Sequence, residues 1–104
     1  MTGEHFWDAE LFRLQGELFR LSGDDQAETS FLQAINLAQS QQAKLLELRA
    51  TVSLQQFQQS QGKTNRDGQS LLNIYQWFNE GFDTFDLKQA RALLAQIKVP
   101  NVEG

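Results

Sequence analysis

From Trp7 to Ile97 the apolar residues recur at spacings of three and four, and the pattern breaks only near Gly23, Gln41, Gly62 and Gly81. Such spacing places side chains on one face of a helix, whereas a half-buried strand needs strict alternation. The chain is therefore expected to be all-α. Proline, which interrupts helices, occurs once, at Pro100. Leu, Ala, Gln and Glu are abundant, and these side chains lose little rotamer freedom in a helix.

The breaks predict helices over about 6–22, 25–41, 43–61, 66–79 and 85–97, in a single domain spanning 1–104. In the first, Trp7, Leu11, Leu14, Leu18 and Leu21 share one face, and Phe12 and Phe19 lie on another with Gly16 between them. A mid-helix glycine costs about 1 kcal/mol against alanine, and its expected return is close approach of a neighbouring helix. Gly23 can take the left-handed conformation that closes the first helix, and Asp24 or Asp25 can cap the second. The second helix turns Ala27, Phe31, Ala34, Ile35 and Ala38 inward. The third turns in Leu46, Ala50, Leu54 and Phe57, a face broadened by Leu45, Leu48 and Val52. The fourth supplies Leu71, Ile74, Tyr75 and Phe78. Thr84 is placed to cap the fifth, which carries Leu87, Ala90, Leu93, Leu94 and Ile97. Gly23 and Gly62 stand 39 residues apart, each between two helices of about four turns. Helix-hairpin repeats fit that period, and so does an ordinary five-helix bundle.

Four stretches add a family resemblance. Ala9-Glu10-Leu11-Phe12-Arg13-Leu14-Gln15-Gly16-Glu17-Leu18, Leu46-Glu47-Leu48-Arg49-Ala50, Leu87 to Leu94, and above all Tyr75-Gln76-Trp77-Phe78-Asn79-Glu80-Gly81-Phe82-Asp83-Thr84 resemble a tetratricopeptide (TPR)-like segment. That segment closes many large bacterial proteins described as predicted ATPases or adenylate/guanylate cyclase-linked regulators. The likeness runs from about Phe6 to Ile97. It departs from the pattern after Gly23, where the turn is one residue shorter, and at Asp67, where a small residue is usual. It implies TPR-like hairpins: two antiparallel helix pairs and a C-terminal capping helix. It also implies a scaffold or sensing role in a signalling system, and no catalytic residue, since the nucleotide site of such proteins lies in upstream domains.

The remaining chemistry is sparse. The net charge of −4 disfavours duplex nucleic acid, whose binding needs Lys and Arg to displace counterions. There is no cysteine, and no apolar run approaches the ~20 residues that span a bilayer. The first five residues lack the features of a secretory leader, so a cytoplasmic location is expected. Gly62-Lys63-Thr64 fails as a phosphate loop, because Phe57 stands where glycine is required and helix precedes it. Lys63 to Gly68 fails as a calcium loop, with a cation first and Ile74 in place of the closing Glu. His5 has no second imidazole to share a metal, and no Gly-x-Ser-x-Gly elbow occurs. Glu10, Glu17, Glu28 and Glu47 read as a solvated helical face. No enzyme activity, cofactor or metal is expected.

Two surfaces are candidates for protein or peptide partners. If the hairpins stack as TPR repeats, the resemblance points Glu10, Arg13, Glu17, Arg20, Arg49, Gln56 and Gln59 into a concave groove. A structural cap or homodimer without a groove ligand is the alternative. For that role the first helix offers Trp7, Leu11, Leu14 and Leu18, because its two apolar faces exceed what the second helix can cover, unless the third wraps back over both. Trp77, Phe78, Phe82 and Phe85 form an aromatic group expected to lock the last helix in place. A small-molecule or enzymatic domain is a third reading, which a deep apolar pocket with converging polar groups would favour.

Overall fold

Five helices make up the computed structural model, which describes residues 7–61, 68–81 and 84–97, with the side chains of 68, 69 and 97 outside that description. They are α1 (Asp8–Leu21), α2 (Gln26–Ser40), α3 (Lys44–Ser60), α4 (Gly68–Trp77) and α5 (Phe85–Ile97), with no strand among the described residues. Gly62, the expected stop after α3, and the failed phosphate and calcium loops at 62–67 lie outside the described residues, as do His5, Phe82 and Pro100.

The helix ends follow local chemistry. Gly23 adopts φ 74°, the amide of Asp24 donates to Phe19 O at 2.9 Å, and that of Gly23 donates to Arg20 O at 3.1 Å. This is the paired hydrogen bonding that a left-handed residue after a helix permits. The same arrangement closes α2 without glycine. Gln42 sits at φ 58°, and Ala43 N donates to Ala38 O at 2.9 Å. A left-handed non-glycine residue costs about 1–2 kcal/mol, offset here by satisfying two carbonyls at the helix end. Asp24 Oδ1 accepts from Gln26 N at 2.9 Å, and Thr84 Oγ1 lies 3.5 Å from Leu87 N at the start of α5.

Helix α3 is the hub, touching each of the other four helices. Connections of three or four residues on either side of α2 force antiparallel neighbours. One core cluster joins Leu48 and Val52 of α3 to Leu71, Leu72 and Ile74 of α4 and to Leu87, Ala90, Leu93 and Leu94 of α5, with Tyr75 and Phe78 packed against it. A second joins Ala27 and Phe31 of α2 to Leu54 and Phe57 of α3, with Phe19 and Ile35 at its edge. A third holds Ala9, Ala38 and Leu46 together.

The first helix packs through its small residues. Its buried residues are small, Ala9 and Gly16. A Cβ on Gly16 would stand 2.6 Å from Phe31 Cε1, so α1 rests directly on the Phe31 ring. Phe31 is itself fully buried and meets Phe57 at 6.0 Å between centroids. The α1 leucines are consequently turned outward. Leu45 of α3, expected inside, is also exposed, because Leu46 and Leu48 already fill the core at that end.

Candidate interaction surfaces

Two surfaces stand out, one polar and one apolar. The polar one is a groove of about 350 Å³ between α1, α3 and α5. Arg13, Glu17, Arg49 and Gln56 line it, which brings four of the seven expected groove residues together. Glu10 joins them through its bonds. Its carboxylate accepts from Arg13 Nε at 3.0 Å and Nη2 at 2.7 Å, and lies 3.8 Å from Arg49. Arg20 reaches sideways to Glu17 instead, at 2.6 Å, and Gln59 is half-buried outside the lining. Residues that sequence reasoning did not place in the groove complete the wall. Ser53 Oγ accepts from Arg13 Nη1 at 3.2 Å, and Asp86 Oδ2 accepts from Arg49 Nε at 3.2 Å. Asp86 thus ties α5 to α3, as well as complementing the dipole at the start of α5.

The groove charges satisfy one another. Hydrogen bonding to Glu10 raises the Arg13 guanidinium above its ordinary pKa against the opposing effect of burial, and the charges of Glu10, Glu17 and Asp86 add to the rise. Arg13 is therefore a permanent cation held by two fixed points, and a partner has to compete with those bonds.

The apolar surface is the outer face of α1. Trp7, Leu11, Leu14, Leu18 and Leu21 are between 45% and 79% exposed. Leu11, Leu14 and Leu18 line a shallow hollow with Phe12. The spacing of the five is four, three, four, three, the repeat of a seam between paired helices. Helix α3 does not wrap back over them. It instead helps cover the second face of α1, where Phe19 joins the core beside Phe57.

Two other expectations need correction. Glu47 is buried, at 9% exposure, rather than solvated. It tolerates this through Gln39 Nε2, which donates to its Oε2 at 3.1 Å, and through Lys44 at 3.8 Å. The aromatic group is not a lock as a whole. Phe78 packs on the core and meets Trp77 edge-on at 5.1 Å, but Trp77 and Phe85 are largely exposed. Trp77 lies under Lys44 Nζ, 5.5 Å from the ring centroid, and Phe85 edges the polar groove.

Among the described residues, no group of three His, Asp or Glu is placed to hold a metal ion, and no helix is long and apolar enough to cross a membrane. No family model, curated protein or solved structure matches the chain.

Proposed function

We propose that this chain is a protein-interaction scaffold of TPR-like hairpins, with a binding rather than a catalytic role, serving as a regulatory part of a larger signalling system. The observation that carries the interaction reading is the row of exposed leucines on α1. Exposed apolar patches of this kind mark partner sites. The hairpin reading is supported by the packing of α3 on both α1 and α2, by its contact with α5, and by a groove lined by every second helix. The signalling role rests on the resemblance carried by Tyr75 to Thr84.

The occupant of the α1 seam is a second copy of the chain, joined α1 to α1 about a two-fold axis. The seam repeats at the spacing that paired helices share. Of the acids beside it, Glu10 and Glu17 are already paired with Arg13 and Arg20, which lowers the like-charge repulsion between two copies, and Asp8 lies at the edge of the same hollow. The α1–α3–α5 groove is a second, weaker docking site for an extended polar segment.

Sedimentation across a concentration series tests the reading. The expected result is a mass that rises from one chain to two, with Leu11→Ala weakening the dimer and Gln56→Ala leaving it unchanged. A mass that stays at one chain at the highest concentration would refute self-association.

A further inference from the structure

A second site lies on the opposite side of α3 from the polar groove. Among the described residues α2 and α4 scarcely touch, and the gap between them is a cleft of about 390 Å³ floored by α3. Lys44, Glu47, Thr51, Leu54 and Gln55 form the floor, on the helical face that points away from Arg49, Ser53 and Gln56. Leu32 and Ile35 of α2 make one wall, and Ile74 and Trp77 of α4 the other.

The floor contains two polar groups that the fold leaves incomplete. Gln55 is 1% exposed, and its Nε2 has no hydrogen-bond partner among the described residues. Glu47 Oε1 is buried and accepts no hydrogen bond there; it faces Lys44 Nζ at 3.8 Å, an ion pair too long to be a hydrogen bond, while its other oxygen is bonded to Gln39. A buried donor or acceptor left unpaired is destabilising, and native proteins leave few of them. Here one donor and one acceptor line the same cleft. Eight residues of α3 separate them, which is about 12 Å along the helix axis.

We propose that this cleft binds a short extended peptide segment with apolar side chains. Peptide backbone offers both missing partners, an N–H for Glu47 and a carbonyl oxygen for Gln55. At about 3.3 Å per residue, three or four extended residues cover the separation. Leu32, Ile35, Leu54, Ile74 and Trp77 supply apolar walls for the alternating side chains. The ligand is neutral, because the charges of Lys44 and Glu47 on the floor offset one another. A purely apolar molecule would leave both groups without a hydrogen bond.

The probe is a capped tripeptide, acetyl-Ala-Leu-Ala-amide, titrated into the full chain and followed by amide and indole NMR shifts. Saturable shifts are expected at Thr51, Gln55, Asn73 and Trp77 and not at Ser53 or Gln89. Gln55→Met keeps the side-chain volume and removes the unpaired amide. It should weaken the probe about tenfold, the loss of one well-placed hydrogen bond, while the melting temperature holds or rises. Methylating the probe's backbone nitrogens should weaken it similarly. Three results would each overturn the proposal: no saturable shift in the cleft, unchanged affinity in Gln55→Met, or a lower melting temperature in that variant, which would make the amide a structural group.

Discussion

Helices α1 and α3 use their large side chains in opposite ways. In α3, leucines, a valine and a phenylalanine are buried, together with Thr51, Ser53 and Gln55. In α1 only Ala9 and Gly16 are buried, while its four leucines, and Trp7 just before it, face outward. Both helices carry apolar residues at helical spacing. Periodicity therefore shows that a face exists, and the shape of the neighbour decides which face goes inside. Phe31 projects from α2 toward α1, and a glycine receives its ring better than a row of leucines could.

The contrast predicts where substitution hurts. The largest effect should come from truncating the chain after Phe82, which removes α5. Leu87, Leu93 and Leu94 then leave the core, each burial being worth roughly 1.5–3 kcal/mol against a typical domain stability of about 5–15 kcal/mol. A thermal melt should show hairpin α3/α4 lost, and a melt within a few degrees of the intact chain would contradict the packing. Next comes Leu48→Ala in α3, a fully buried leucine, with an expected loss of about 2–5 kcal/mol in urea unfolding. Gly16→Ala follows. It should destabilise by about 1–3 kcal/mol despite alanine's better helix propensity, because the added Cβ would displace the ring of Phe31, which is fully buried beside Phe57. If Gly16→Ala stabilises the protein, the direct seat of α1 on Phe31 is wrong.

Smaller effects belong to the surface. Arg49 joins Asp86 and approaches Glu10, but it is one-third exposed. Arg49→Gln should cost about 0.2–1 kcal/mol, and the difference should shrink in high salt. The smallest effect is Leu14→Ala. Below the concentration of self-association its stability should change by no more than about 0.5 kcal/mol, in contrast to Leu48→Ala on the other helix.

Much of this fold was legible because helices announce themselves locally. The spacing of Leu46, Leu54 and Phe57 gives α3, and Gly23 gives the end of α1. The close approach at Gly16 was legible too, since a mid-helix glycine needs a reason. What local pattern does not carry is partnership across the chain. Asp86 meets Arg49 over a separation of 37 residues, and Ser53 meets Arg13 over 40. The burial of Glu47 was hidden for the same reason, since its Gln39 partner sits on another helix. In the groove, the sequence supplied the acids and bases of α1 and α3. It missed those of α5, whose position beside them depends on how the hairpins stack. The cleft between α2 and α4 has no sequence signature, because it arises where two helices fail to meet.

In the proposed dimer, the leucine seam of α1 is the surface where chains join. The most direct measurement is isotope-filtered NMR on a mixture of labelled and unlabelled chains, which reports only contacts between copies. The account predicts cross-chain contacts from the methyl groups of Leu11, Leu14 and Leu18 to their counterparts, growing with concentration. Cross-chain contacts confined to Trp77 or Phe85, or none at any concentration, would contradict it.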